Sequence, residues 1–124
     1  MDWRQMEALK GIDLTDSFVL DWSCENNRLC FELEVSIWPE SKYYVEPKLN
    51  EYTSYRKATL QFSNIISVFG LKPKPVVMSS IDPDGSTDYG NIDFFQVVDG
   101  GFELEGNFGT VKIFGGDLLF EIYI

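Results

Sequence analysis

Four aspartates lie close together in the segment 79–93, and their chemistry is that of an oxygen-ligand site. The four are Asp82, Asp84, Asp88 and Asp93. Carboxylate oxygens on a loop that contains glycine are ligands of the kind that Ca²⁺ selects, although Gly85 follows Asp84 too closely for an EF-hand. The alternative is an acidic turn or a partner-binding loop, because Pro-Asp-Gly is a strong turn signal. Two hypotheses therefore stay open for this segment: a site for Ca²⁺ or a small ligand at Asp82, Asp84 and Asp88, or a solvated turn that contacts a partner.

Few residue types in this chain could act as catalytic groups, because its 124 residues include no histidine. Without imidazole there is no Ser-His or Cys-His nucleophile pair and no histidine-ligated metal. Paired carboxylates such as Asp82 with Asp84, or Glu103 with Glu105, would be the remaining acid and base, but residues at i and i+2 on a strand merely share a face. We therefore expect a protein that is not an enzyme and has no cofactor, with a carboxylate-dependent hydrolase as the remaining catalytic alternative.

The connection from Pro39 to Tyr55 is a candidate contact surface, because it holds four of the six tyrosines. Long loops in small domains are often functional, and tyrosine offers a large, stiff, amphipathic contact area. The alternative is that these rings fold back over a sheet face of the same chain. The residues predicted to bind a partner are Tyr43, Tyr44, Tyr52, Tyr55, Asp82, Asp84, Asp88, Tyr89 and Asp93.

The charge of the chain indicates what kind of partner to expect. Its formal net charge is −10, and residues 75–124 carry nine acidic side chains against one base, Lys112. Such a surface attracts a cationic protein and repels nucleic acid and anionic membranes. No targeting or membrane-spanning pattern is readable, so we expect a cytoplasmic protein that binds a basic protein partner.

The elements that position these residues are predicted to be mostly strands. Apolar residues at positions 3, 6 and 9, a capping box at Asp2 and Gln5, and Gly11 as terminator predict one short N-terminal helix. Alternation and turn residues predict strands over 17–24, 28–38, 56–63, 65–69, 76–81, 91–98, 102–106, 109–114 and 118–124. The fold class is therefore mainly β: one domain over 1–124, with about 7–9 short strands in an antiparallel sandwich or a strongly curved, barrel-like sheet.

Two hairpin registers follow from the turn residues. A turn at Asn26 and Asn27 pairs Glu25 with Arg28, Cys24 with Leu29, Trp22 with Phe31, Leu20 with Leu33 and Phe18 with Val35. A turn at Gly115 and Gly116 would pair Ile113 with Leu118 and Val111 with Phe120. The first register sends Cys24 and Cys30 to opposite faces, which favours two free thiols and a reducing compartment.

The order of these strands resembles a known class of proteins. The resemblance is carried by Asp16–Trp22, Arg28–Leu33, Ala58–Ile65 and the hairpin Phe102–Ile113. In these segments the chain is similar to the small acidic bacterial immunity proteins of polymorphic toxin systems. The resemblance implies a cytoplasmic, β-rich protein that occludes a cognate toxin, and it assigns no role to any single residue.

Overall fold

In a computed structural model that describes residues 2–41, 44, 54–73, 80–81 and 87–123, these residues form eight strands. In chain order they are β1 (Ile12–Glu25), β2 (Arg28–Ile37), β3 (Ser54–Phe69), β4 (Ser80–Ile81), β5 (Thr87–Asp88), β6 (Ile92–Val98), β7 (Gly101–Gly106) and β8 (Gly109–Ile122). Six of them form one antiparallel sheet in the order β1-β2-β3-β8-β7-β6, and β4 pairs with β5. The prediction of a mainly β, antiparallel fold is confirmed.

The N-terminal segment is helical in a tighter form than predicted. Two 3₁₀ helices, Trp3–Gln5 and Glu7–Leu9, replace the single short helix, and the predicted capping box between Asp2 and Gln5 is present. Trp3, Met6 and Leu9 are all buried. Met6 lies between the two helices with an extended backbone (φ −83°, ψ 126°), so the three side chains reach the core from two separate turns and not from one continuous helix.

The sheet curls until its first and last strands meet. The Val19 N–H donates to the Gly90 carbonyl oxygen at 2.7 Å, and the Tyr89 N–H donates to the Val19 carbonyl oxygen at 2.9 Å. The side-chain amide of Asn91 adds a hydrogen bond of 2.7 Å to the carbonyl oxygen of Thr15. The residues just before β6 are thereby joined to β1, which gives the sheet the strong curvature that was predicted.

The first hairpin has the predicted turn but only part of the predicted register. Asn26 and Asn27 have φ of 53° and 61°, and the pairs from Glu25–Arg28 to Trp22–Phe31 are as expected. Beyond Asp21 the prediction was wrong: Val19, not Leu20, lies opposite Leu33, and Phe18 lies opposite Glu34. A register shift between Val19 and Asp21 causes the difference, since an extra residue in one strand moves the following side chains to the other face.

The predicted turn at Gly115–Gly116 was also wrong, because β3 and β8 are long, bent strands that run past their irregular residues. Asn64 in β3 has φ of 57°, and Gly115 and Gly116 in β8 have φ of 74° and 99°. These left-handed residues lie near one another across the pair, where Ile65 is opposite Gly115. Leu118 therefore pairs with Phe62 and Phe120 with Leu60, instead of with Ile113 and Val111.

The bends divide the sheet into two halves that share one core. The first half of β3 pairs with β2, and the first half of β8 pairs with β7. The largest fully buried rings come from both halves: Phe31, Phe62, Phe95 and Phe108. They belong to one cluster of buried residues. Within the part of the chain that the structure describes, no helical segment has the length and hydropathy needed to span a bilayer.

Candidate functional site

In the acidic segment 79–93, the structure shows a hydrogen bond for one carboxylate, that of Asp88. Asp88 lies in β5, and its Oδ1 accepts a hydrogen bond of 2.7 Å from the Gly90 N–H. This is the local backbone bond expected of a turn aspartate. Asp93 is exposed on β6, and Asp82 and Asp84 lie outside the described residues. Among the described residues, no group of three or more potential metal ligands is found. The Ca²⁺ hypothesis therefore stays a prediction.

The described tyrosines make contacts within the chain. The ring of Tyr89 meets Trp22 edge-on, with centroids 4.9 Å apart, and Tyr44 packs against the hydrophobic core. Tyr55 is half-buried with its ring 5.6 Å from that of Phe18, and its hydroxyl donates to the Asp16 carboxylate at 3.5 Å. Tyr43 and Tyr52 lie outside the described residues. Contacts within the chain thus occupy part of the tyrosine ring surface that was predicted to contact a partner.

A surface that the sequence did not predict lies on the outer face of β3 and β8. Ile66 is 83% exposed, Phe69 is 60% exposed and Phe114 is 45% exposed. The rings of Phe69 and Phe114 meet edge to face at 5.9 Å. Ile66 lies over Gly115, since a Cβ added to that glycine would be 2.9 Å from the isoleucine Cγ1. We call these three residues the apolar patch.

The sequence did not indicate the apolar patch because a turn was predicted at Gly115–Gly116. A break at Gly115–Gly116 and a second one at Asn64 hid the fact that β3 and β8 run side by side there, with Phe114 opposite Ser67. A signal was nevertheless present: the run Ile65–Phe69 carries apolar residues at both odd and even positions. A strand with apolar side chains on both faces has a second face to cover.

Carboxylates outnumber bases around the apolar patch. Phe69 lies opposite Lys112, which lies opposite Glu103 on β7. Asp117, three residues after Phe114, accepts a hydrogen bond of 2.8 Å from Asn64, and Asp99 lies in the turn that precedes β7. An apolar centre with a charged, solvent-accessible rim has the composition of a protein-binding surface.

The other half of the outer face carries an anionic row. Asp21, Glu32, Thr59 and Glu121 lie opposite one another across four adjacent strands. Like charges on directly facing residues are destabilising. In this row only Asp21 and Glu32 form such a pair. The three carboxylates together contribute a negative potential that a cationic partner would reduce.

Cys30 lies on the same outer face as the anionic row, next but one to Glu32 along β2. Burial, followed by the charge of Glu32, raises the pKa of the Cys30 thiol. Cys30 is partly buried, whereas Cys24 is exposed, and both thiols are free. A raised pKa leaves less of the reactive thiolate at a given pH, and the thiolate fraction grows as the pH rises.

We therefore expect the two thiols to react at different rates with Ellman's reagent. Near pH 8, the Cys30→Ser variant, which keeps Cys24, should react at least about five-fold faster than Cys24→Ser, which keeps Cys30. The rate at Cys30 should also rise with pH. The absorbance of the released thiol measures both rates, and equal rates in the two variants would contradict the assigned environments.

The structure describes one of the predicted carboxylate pairs, Glu103 and Glu105 on β7. Glu103 accepts a hydrogen bond of 3.2 Å from Gln96, and Glu105 is exposed two residues further along β7. A cleft of about 570 Å³ lies elsewhere, between the second 3₁₀ helix and the end of β8, and neither of these glutamates borders it.

Comparisons with known proteins found no match for the chain. No protein-family model matches it, and neither a curated protein nor a solved structure shows significant similarity to it.

Proposed function

We propose that this chain is a non-catalytic protein-binding module with a basic protein partner, and that the partner is a toxin that the module neutralises in the bacterial cytoplasm. The observation that carries the proposal is the apolar patch, in which Ile66, Phe69 and Phe114 are exposed together on a strand pair. Three large apolar side chains exposed close together on one face are a common mark of an interaction surface. Two free thiols agree with a reducing compartment.

The charges supply the second part of the argument. The net charge of −10 creates a long-range attraction for a cationic protein, which raises the association rate. The apolar patch then supplies the short-range contact, since buried aromatic residues dominate the binding energy of many interfaces. The module needs no cofactor for this role, because the binding surface is part of a hydrogen-bonded sheet.

The test is binding to the protein encoded by the adjacent reading frame, purified in an inactivated form. The double variant Phe69→Ser/Phe114→Ser should bind at least about 100-fold more weakly by calorimetry, as expected for two aromatic anchors. Affinity should also fall as the salt concentration rises, because screening weakens the attraction between net charges. Trp38→Ser is the matched control, since Trp38 is 38% exposed and lies just after β2, outside both the apolar patch and the acidic segment 79–93.

Growth separates the toxin hypothesis from simple binding. Cells that express the active neighbouring protein should die unless they also express this chain, and the double variant should protect them poorly. Binding without protection would contradict the immunity role, but it would still agree with a protein-binding module. Equal binding by the double variant and the wild type would contradict the proposed surface.

A further inference from the structure

Among the strands that the structure describes, the second half of β8 has a neighbour on one side only. Strand β7 pairs with β8 from Gly109 to Phe114, whereas residues 117–122 of β8 pair only with β3 among the strands described. Inward-facing Val111 and Ile113 in the first half are buried, but Leu118, Phe120 and Ile122 in the second half are only partly buried. Within the described part of the chain, this side of β8 therefore has no paired strand, and the inward-facing side chains keep part of their surface exposed. We call residues 118–122 the free edge.

The register shows which backbone groups face away from β3. The Tyr123 N–H donates to the Lys57 carbonyl oxygen at 2.8 Å, so these two residues form a hydrogen-bonded pair. Hydrogen-bonded and non-hydrogen-bonded pairs alternate along an antiparallel ladder. The N–H and C=O groups of Phe120 and Ile122 therefore point away from β3, toward the open side of the strand.

A cleft lies along that open side. Its volume is about 570 Å³, and it is bordered by Phe120–Ile122, by the second 3₁₀ helix with Lys10 and Ile12, and by Glu40 and Ser41. No residue of β3 borders the cleft, which places it on the side of β8 where a further strand would lie. The walls combine apolar side chains with Glu7, Glu40 and Glu121 against one base, Lys10.

The sequence of the free edge lacks the usual protection of an edge strand. Natural edge strands are commonly protected by proline, lysine, a bulge or a short length. Residues 118–122 are Leu-Leu-Phe-Glu-Ile, with no proline or lysine, and their register with β3 is regular. Leu119 is 49% exposed on the outer face of the same segment. An unprotected apolar edge of this kind is a template for another strand.

We propose that the free edge binds an extended, basic segment of the partner as an additional antiparallel or parallel strand. This inference rests on the proposed function and names the segment of the partner that is recognised. Backbone hydrogen bonds to Phe120 and Ile122 supply affinity, and the three glutamates select lysine or arginine in the segment. A second copy of this chain is a poorer occupant, because its net charge of −10 opposes self-association.

Amide hydrogen exchange with a synthetic peptide tests the inference on the full chain. The probe is a peptide of about eight residues, a common strand length, that alternates lysine and valine. In the free protein the amides of Phe120 and Ile122 should exchange fast and those of Leu119 and Glu121 slowly. Saturating peptide should slow Phe120 and Ile122 at least about ten-fold. The same peptide with glutamate in place of lysine should have no effect.

Two charge variants check the selectivity. Glu121→Lys should weaken peptide binding about ten-fold at low salt, whereas Glu105→Lys, the same change at an exposed strand residue outside the cleft, should weaken it less than about two-fold. A peptide N-methylated at the residues that face β8 should not bind, because it lacks the pairing donors.

Three results would overturn the inference. They are protection of Phe120 and Ile122 in the free protein, no change in their exchange on adding the lysine peptide, and protection that rises with protein concentration alone. The last result would show a dimer through the free edge. The proposed function has a separate test, since the apolar patch variants leave residues 118–122 unchanged: binding of the whole partner that depends on the patch would stand even if the edge inference failed.

Discussion

Replacing Phe62 by alanine is expected to lower the free energy of unfolding by about 4 kcal/mol. Phe62 is fully buried, and its ring meets Phe95 at 5.8 Å and Phe102 at 4.9 Å. It is also the β3 residue that lies opposite Leu118 and Leu29, so the cavity would form between both halves of the sheet. Urea denaturation followed by tryptophan fluorescence measures the change.

Phe69→Ala is the matched control for this experiment. It removes the same atoms from the same strand, but Phe69 is 60% exposed. We expect a loss in stability of less than about 1 kcal/mol, together with weaker binding of the partner. Equal stability of the two variants would contradict the burial of Phe62 against Phe95 and Phe102. If Phe69→Ala bound the partner normally, the apolar patch would lose its proposed role.

Local signals predicted the parts of the fold that depend on neighbouring residues. The turn at Asn26–Asn27 was predictable because asparagine tolerates positive φ, and both residues adopt it. The pairs next to the turn followed from alternation, and so did the mainly β class. The capping box at Asp2 and Gln5 was equally local, because its two hydrogen bonds join residues three positions apart or fewer.

The failures occurred where distant segments decide the conformation. The register shift between Val19 and Asp21 lies where β1 meets residues 89–91, a contact between residues about 70 positions apart along the chain. Gly115–Gly116 looked like a hairpin turn, since two glycines between apolar runs favour one. In the fold the same residues bend a strand that continues along β3. Tertiary pairing determined which of the two conformations formed.

The candidate site was predictable only in its charge. Counting acidic residues gave the expectation of a basic partner, because net charge does not depend on the fold. The tyrosines were assigned to a partner from composition, whereas Tyr44 and Tyr89 contribute to the packing of the core. The apolar patch depends on β3 and β8 lying side by side over a long distance. The run Ile65–Phe69 indicated a second apolar face on β3, but no spacing within either strand could show that β8 lies beside it there.

Two adjacent glycines after β6 should respond very differently to substitution. Gly101→Ala is expected to destabilise the fold by about 3 kcal/mol or more, because a Cβ there would overlap the backbone oxygen of Ile113. Strands β7 and β8 would have to separate to admit it. Gly100 has φ of 83° but no atom within 4 Å of an added Cβ, so Gly100→Ala should cost only about 1 kcal/mol in backbone strain.

The comparison also tests whether the close pairing of β7 with β8 supports the binding surface. Gly101 lies opposite Phe114, so separating the strands at this point would move one ring of the apolar patch. Gly101→Ala should therefore lower both the midpoint of urea denaturation and the affinity for the partner, and Gly100→Asn, which tolerates positive φ, should change neither by much. If Gly101→Ala is so unstable that it does not accumulate as folded protein while Gly100→Ala does, the steric argument is supported. Equal stability of the alanine variants would mean that β7 and β8 do not approach this closely.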